Sequence, residues 1–127
     1  MRFTVRGGVE ALRPAAARTV RAALAAGLDP ARSADLELAV HEVLANAHEH
    51  GNAADSRRPI DVEVVADRPG WLEVRVHDQG VGGVPGPVAP EEGTRGRGLA
   101  VVAGMVDGVS LDRTSGGTCV TLQVRRR

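Results

Sequence analysis

The chain has 127 residues, 43% of them hydrophobic, and its formal net charge is +0. This length and apolar content predict a single domain over residues 1–127 with one packed core. No stretch approaches the roughly 20 apolar residues of a membrane span, so we expect no membrane-spanning helix. The balanced charge argues against a direct nucleic-acid partner and against an anionic membrane surface.

The residue types present narrow the chemistry further. Cys119 is the single cysteine and cannot form an internal disulfide, and no apolar signal segment follows the first residues. A cytoplasmic location is therefore the expectation. All 16 basic residues are arginine, and the sequence has no lysine. A P-loop and a eukaryotic-type protein kinase both place a lysine on the phosphates, so any nucleotide chemistry here requires another architecture.

The first half of the chain is predicted to be mainly helical. Residues 2–6 favour a short edge strand, and the helical spacing of apolar residues follows over residues 9–24. Asp29-Pro30 is typical of a helix entry, with an aspartate cap before a proline in the first turn. The second helix should end at Gly51, a residue favoured just past a helix end. We expect the polar segment 52–59 to be a surface loop.

The second half is predicted to form two hairpins, because apolar and polar residues alternate there. A long segment rich in Gly and Pro, residues 80–98, separates the hairpins, and a short amphipathic helix follows it from Leu99 to Val106. These elements together predict an α+β fold, a two-layer α/β sandwich with a mainly antiparallel sheet and helices on one face. The strands are expected at residues 60–64 and 72–77, at a segment that begins with Val109 and Leu111, and at residues 118–124.

Three polar residues stand four apart on the second helix. Glu42, Asn46 and His50 each lie about one turn beyond the last, rotated by roughly 40°, which places them at the edge of the apolar stripe. A carboxylate, an amide and an imidazole at that edge could line a ligand site. An ordinary polar helix surface explains the same spacing equally well.

Asp78 is the sharpest signal in the sequence. Its phase matches that of Leu72, Val74 and Val76, so its carboxylate should face the core side of the sheet, where it needs donors. Gly80 and Gly82 leave room for a flat ligand with an amino group. The alternative is an aspartate that begins a turn and bonds its own backbone.

Two further features could contribute to a ligand site. Thr118 shares the core phase of its strand and could lie beside Asp78 if the strands are neighbours, although β-propensity also explains a threonine there. The segment Gly96-Arg97-Gly98 precedes Leu99 at a predicted helix start, where free N–H groups favour phosphate. The dinucleotide-binding pattern fails because Val101 occupies its third glycine position. A flexible turn at this helix start is the alternative.

Other chemistries have weaker support. His41, His48 and Glu37 could hold a metal on one helix face, but a solvated face is the simpler interpretation. Cys119 alternates away from the core and has no histidine near it in sequence, so nucleophilic catalysis is not supported. The arginine runs at 57–58 and 125–127 are interpreted as solvated ends.

The motifs, taken in order, resemble those of the Bergerat-fold (GHKL) ATPases. They are Glu42-x-x-x-Asn46-Ala47-x-x-His50-Gly51, Asp78-x-Gly80-x-Gly82, Gly96-Arg97-Gly98-Leu99 and Gly117-Thr118. Within that group the sequence looks most like the small bacterial anti-sigma-factor serine/threonine kinases. The resemblance runs from Val9 to Val124.

The resemblance implies a site for ATP and Mg²⁺. Asp78 would accept a hydrogen bond from the adenine amino group, supported by Thr118, and Asn46 would ligate Mg²⁺. His50 would shape the site. Residues 83–98 would form a lid that places Gly96, Arg97 and Gly98 over the phosphates. Glu42 matches the family's catalytic base.

The resemblance also implies partners. The protein would hold a sigma factor inactive and phosphorylate a serine of a small anti-sigma-factor antagonist, with the first helix as a possible homodimer face. Two alternatives remain open. One is a nucleotide-gated anti-sigma or adaptor module without catalysis, and the other is a detached histidine-kinase catalytic domain.

Overall fold

A computed structural model of the chain describes residues 1–80, 86–88 and 96–127. Its strands form a six-stranded antiparallel sheet in the order β1-β2-β3-β6-β5-β4. The strands are β1 (Arg2–Val5), β2 (Ile60–Val65), β3 (Trp71–His77), β4 (Gly86–Val88), β5 (Gly108–Thr114) and β6 (Gly117–Arg125). Edge strand β1 and both predicted hairpins are confirmed.

The helices are α1 (Val9–Ala25), α2 (Ser33–Asn46) and α3 (Gly96–Ala103). A 3-10 turn, Pro30–Arg32, leads into α2, and the Asp29 carboxylate accepts a hydrogen bond from the Ala31 N–H at 3.0 Å. The predicted helix entry at Asp29 is therefore present, but the first turn is wound more tightly than an α-helix.

One hydrophobic cluster lies between the sheet and the helices. Alternate residues of β2, β3 and β6 face it, and the apolar stripe of α2 packs against them. Val43 and Leu44 are at most 1% exposed, and burying such a side chain contributes about 1.5–3 kcal/mol. The two-layer α+β sandwich is the predicted fold.

The structure corrects the sequence interpretation in three elements. Residues 86–88 form strand β4 within the predicted loop, pairing with β5 from Gly86 opposite Arg113. Helix α3 begins at Gly96, three residues before its predicted start, and ends at Ala103. The second helix ends in a π-helical turn, Ala47–Gly51, in which the Asn52 N–H donates to the Ala47 carbonyl at 2.8 Å.

Hydrogen bonds to the Asp107 carboxylate connect the helical layer to the sheet. Asp107 accepts hydrogen bonds from the Arg125 N–H at 2.7 Å and from the Arg32 guanidinium at 2.8 Å. These bonds, led by the one from the Arg125 N–H, hold the pKa of Asp107 below its usual value. Asp107 thus joins the 3-10 turn before α2 to the end of β6.

None of the helices that the structure describes is long and apolar enough to cross a bilayer.

Candidate functional site

Asp78 lies at the centre of a junction between three backbone segments. It follows β3, and its side chain is 3% exposed. Its Oδ1 atom accepts hydrogen bonds from the Gly80 N–H and the Thr118 N–H, both at 3.0 Å. Its own N–H donates to the Thr118 carbonyl, also at 3.0 Å. The carboxylate is therefore held inside the sheet by backbone donors, as a buried charge requires.

Glycines surround this carboxylate because no side chain would fit. A Cβ atom on Gly51 would lie 2.0 Å from Asp78 Oδ2, and one on Gly80 would lie 2.5 Å from the Gly51 carbonyl oxygen. A Cβ on Gly117 would lie 2.0 Å from the Asp78 carbonyl oxygen. The end of the second helix, the segment after β3 and the start of β6 thus meet at van der Waals distance around Asp78.

Gly51 has a different role from the one predicted. It is not among the residues with a positive φ, and it lies within the π-helical turn instead of beyond the helix end. Just after this turn, positive φ values are adopted instead by Ala53 and Ala54, at +53° and +57°. Gly51 is needed for its close approach to Asp78.

Asn52 is a site residue that lies in the segment predicted to be a surface loop. It is 0% exposed. Its Oδ1 accepts from the Gln79 N–H at 2.7 Å, and its Nδ2 donates to the carbonyls of Arg58 and Pro59 at 3.1 and 3.2 Å. One amide therefore ties the helix end to the residue after Asp78 and to the start of β2. The only sequence signal for this role is its position directly after Gly51.

Asn46 is the last residue of α2 and is 9% exposed. Its Nδ2 atom is buried and has no hydrogen-bond partner among the residues that the structure describes. Leaving such an amide unsatisfied costs about 1–3 kcal/mol. The amide can present oxygen to a cation or nitrogen to a phosphate, depending on how it is turned.

The π-helical turn changes the direction of the histidines that follow Asn46. His48 is 5% exposed, whereas His50 is exposed. The wider winding of a π turn moves residues off the α-helical period. The interpretation of His48 as part of a solvated face is therefore wrong, and the role of His50 in the site stays a prediction.

Glu42 lies one turn before Asn46 and is half-buried. Within the described ranges it takes part in no ion pair. A half-exposed carboxylate beside a buried amide can accept a proton from a hydroxyl that reaches it from solvent.

The remaining predicted site residues are placed in part. Gly96, Arg97 and Gly98 form the first turn of α3, and Leu99, 1% exposed, anchors that helix in the core. Thr118 is bonded to Asp78 just beyond the His77–Cys119 pair of β3 and β6: its N–H donates to the Asp78 carboxylate and its carbonyl accepts from the Asp78 N–H. Gly82 lies outside the described residues, as do residues 83–85 and 89–95 of the predicted lid. The functional roles of all these residues stay predictions.

The competing chemistries gain no support from the described part of the chain. It contains no group of three or more His, Cys, Asp or Glu side chains that could hold a metal ion. Cys119 faces away from the helices, opposite His77 of β3, and is 7% exposed. Burial raises the pKa of the Cys119 thiol, which keeps it protonated and weakly nucleophilic.

Residues 7–124 match the family described as the histidine kinase-like ATPase domain. The chain belongs to this family, and the predicted resemblance to the Bergerat-fold ATPases is confirmed.

Solved structures give the same fold. The RsbU and RsbW domains of Rv1364c from Mycobacterium tuberculosis are 27% identical, with a TM-score of 0.67 over 98% of this chain. This chain spans 32% of that mycobacterial chain. The histidine kinase domain of the Erythrobacter litoralis EL346 blue-light activated histidine kinase is 22% identical, with a TM-score of 0.59, over 90% of this chain and 60% of that one. The mycobacterial sensor histidine kinase MprB is 20% identical, with a TM-score of 0.58, and the match covers 98% of this chain and 97% of that one.

The residues around Asp78 fit the nucleotide that the family implies. The glycines place backbone, and no side chain of their own, beside the Asp78 carboxylate. On the helix that ends at this junction, the Asn46 Nδ2 has no partner in the described part of the chain and is available to a ligand. Mg²⁺ bound to a nucleotide commonly takes only one or two protein ligands, with phosphates and water completing its shell. A single amide with no carboxylate cluster is compatible with such a site.

Proposed function

We propose that this protein is an ATP-dependent serine/threonine kinase that also binds a sigma factor and acts on an anti-sigma-factor antagonist. One observation carries the proposal: on the helix whose end approaches Asp78, the buried Nδ2 of Asn46 has no hydrogen-bond partner among the described residues, and the half-buried Glu42 lies one turn earlier. The family membership supports nucleotide binding. The similarity to a chain with an RsbW domain, at 27% identity, supports the anti-sigma class over the histidine kinases, whose lower identity speaks only for the fold.

Asp78 would bind the adenine ring by accepting a hydrogen bond from its amino group. The Gly80 and Thr118 N–H groups fix the carboxylate in place, so little ordering cost remains when a ligand binds. Asn46 would hold Mg²⁺ through its amide oxygen. The first turn of α3, Gly96-Arg97-Gly98, would direct N–H groups toward the phosphates.

Bound MgATP supplies the phosphoryl group for transfer and neutralises part of the phosphate charge through its metal. Glu42 would take the proton from the serine hydroxyl of the antagonist, and Arg97 would stabilise charge on the phosphates. Because metal ion, backbone amides and arginine share this electrostatic role, the absence of lysine from the sequence is no obstacle.

Incubation with Mg²⁺, labelled ATP and the antagonist encoded beside its gene tests the proposal. We expect phosphoserine on the antagonist, and Glu42→Gln should lower the rate by about 10²–10⁴-fold while retaining nucleotide affinity. Glu49→Gln is the matched control, since Glu49 is an exposed carboxylate two turns further on.

Nucleotide binding and sigma-factor capture without phosphoserine would contradict the kinase and leave a nucleotide-gated adaptor. Transfer that is equally fast in Glu42→Gln would contradict the assignment of the base. The homodimer stays a prediction, which the mass of the complex in solution would test.

A further inference from the structure

We propose that the end of the sheet remote from Asp78 binds an acidic segment of a partner protein. The surface consists of Arg68, Trp71, Arg125, Arg126 and Arg127, and is called the arginine corner below. This inference goes beyond the proposed function and does not depend on it. From the sequence alone, the arginine run at residues 125–127 is interpreted as a solvated end. The proposal gives this run a binding role.

Trp71 forms the apolar centre of the arginine corner. It opens β3 directly opposite Arg125 of β6. The guanidinium carbons of Arg68 and Arg125 each lie 4.9 Å from the centre of its ring. The ring therefore positions two cations by cation–π contact, and the edges of a guanidinium that stacks on a ring carry its N–H donors.

Main-chain carbonyl groups hold the guanidinium of Arg126 in place. Its Nε donates to the Trp71 carbonyl at 3.3 Å, and its Nη2 donates to the Ala66 carbonyl at 3.0 Å. These carbonyls satisfy hydrogen bonds but leave the positive charge uncompensated.

No arginine of the corner pairs with a carboxylate in the described part of the chain, whereas Arg75 on the same sheet pairs with Glu63 and Glu73. Asp107 bonds to the main chain of Arg125 and attracts its guanidinium charge without forming an ion pair with it, because the Asp107 carboxylate is paired with Arg32. The corner therefore concentrates positive charge in a molecule whose formal net charge is +0. An anionic ligand would relieve this repulsion.

The arginine corner is concave and open to solvent on one side. Trp71, Arg125, Arg126 and Arg127 line a concavity of about 480 Å³ together with two glycines. Those glycines, Gly27 and Gly70, have positive φ values of +104° and +79°. A Cβ on Gly70 would meet nothing within 4 Å, so the rim is open to solvent on that side.

The observations favour a peptide over a nucleic acid. Arg68 and Arg125 already contact the ring of Trp71, so it is not a free platform on which a base could stack. The corner is also local and not a stripe that could follow several phosphates. A run of Asp or Glu side chains matches the planar, forked guanidinium groups directly.

The corner and the candidate nucleotide site lie at opposite ends of the same strands. Trp71 begins β3 and Asp78 follows its last residue, a separation of about 20 Å at the rise of a β-strand. Both can therefore be occupied at once.

Trp71 provides the readout, because the chain has one tryptophan and no tyrosine. We would titrate the full chain with a hexaglutamate peptide, follow the tryptophan emission, and measure the affinity independently by calorimetry. The expected result is saturable binding that weakens with added salt. Arg68→Gln and Arg125→Gln should each weaken it roughly fivefold. Arg13→Gln, an exposed arginine of α1, is the matched control and should leave the affinity unchanged.

Three outcomes would overturn the proposal. One is the absence of heat and emission change up to millimolar peptide. Another is an affinity unchanged in the Arg68→Gln, Arg125→Gln double variant. The third is tighter binding of a single-stranded oligonucleotide of equal charge than of hexaglutamate. Circular dichroism of each variant before titration confirms that it is folded.

Discussion

At the scale of single residues, the candidate site depends on glycines, which lack a side chain and let other groups approach closely. The Asp78 carboxylate occupies the space that a Cβ on Gly51 would take. The helix end can therefore pack directly against a carboxylate that the Gly80 and Thr118 N–H groups hold in place.

Gly51→Ala should disrupt this arrangement. The added methyl group must displace either Asp78 or the helix end, because it would lie 2.0 Å from Oδ2. We expect nucleotide affinity to fall by roughly tenfold or more, the cost of disturbing a charged hydrogen bond. Calorimetric titration with MgATP measures this.

Gly116→Ala is the control, since a Cβ there would meet nothing within 4 Å. Equal affinity in Gly51→Ala and the wild type would show that the Gly51–Asp78 contact has no part in binding.

Asn52→Ala should lower the free energy of unfolding by about 2–4 kcal/mol. The substitution removes three hydrogen bonds from a fully buried site: the one that Oδ1 accepts from the Gln79 N–H and the two that Nδ2 donates to the carbonyls of Arg58 and Pro59. The Gln79 N–H then loses its partner. Urea unfolding measures the loss. Gln79→Ala retains that N–H and changes only an exposed side chain, so its stability should stay near that of the wild type. Similar stability in Asn52→Ala would contradict the role assigned to the amide.

Sequence reasoning located Asp78 but not Asn52, and the reason is physical. The β-period of Leu72, Val74 and Val76 gives the direction of Asp78 without knowledge of any other element. The burial of Asn52 depends on three segments meeting around it, and a polar residue after a helix end is otherwise typical of a loop.

At the scale of elements, the end of the second helix carries local strain. Ala53 and Ala54 adopt left-handed conformations at φ +53° and +57°, which cost about 1–2 kcal/mol each for a residue with a Cβ. The Ala54 N–H donates to the His48 carbonyl at 2.7 Å, so this conformation closes the π-helical turn.

Ala54→Gly should therefore raise the free energy of unfolding by roughly 0.5–1 kcal/mol. This value is the relief of backbone strain in the folded state minus the entropy that glycine adds to the unfolded chain. Thermal unfolding followed by circular dichroism tests it. Ala34→Gly, at an exposed position of α2, should instead lower stability by about 1 kcal/mol. A loss of stability in Ala54→Gly would contradict the assigned backbone conformation.

The Asp107 connection between the 3-10 turn and β6 should depend on pH. Its folded-state pKa lies below the ordinary value of 3.8, so its stabilising contribution is complete above that value. The contribution is lost as the pH falls through the lowered folded-state pKa. Asp107→Asn should thus be less stable than the wild type at about pH 7 and should approach it in acid. Urea unfolding across this range measures the difference, and a constant difference at every pH would contradict the assignment.

Helix and strand periods predicted most elements correctly, and the misses share a cause. Strand β4 consists of Gly86, Pro87 and Val88 and owes its place to pairing with β5, so no alternating pattern could reveal it. The π-helical turn ends at Gly51, which packs against Asp78 from another element, and no local helix propensity predicts that winding.

At the scale of the whole molecule, the sheet separates two regions of different chemistry. Asp78 and its glycines lie at one end of β3 and β6, and the arginine corner lies at the other. The helices cover one face of the sheet with the apolar core. The single domain over residues 1–127 and the cytoplasmic location stay predictions.

The most direct test of the account is calorimetric titration of the wild type and Asp78→Asn with MgATP. The account predicts saturable binding by the wild type and a roughly 10–100-fold loss in the variant, because an amide places a donor where the adenine amino group needs an acceptor. Equal affinity of the two proteins for MgATP would contradict it.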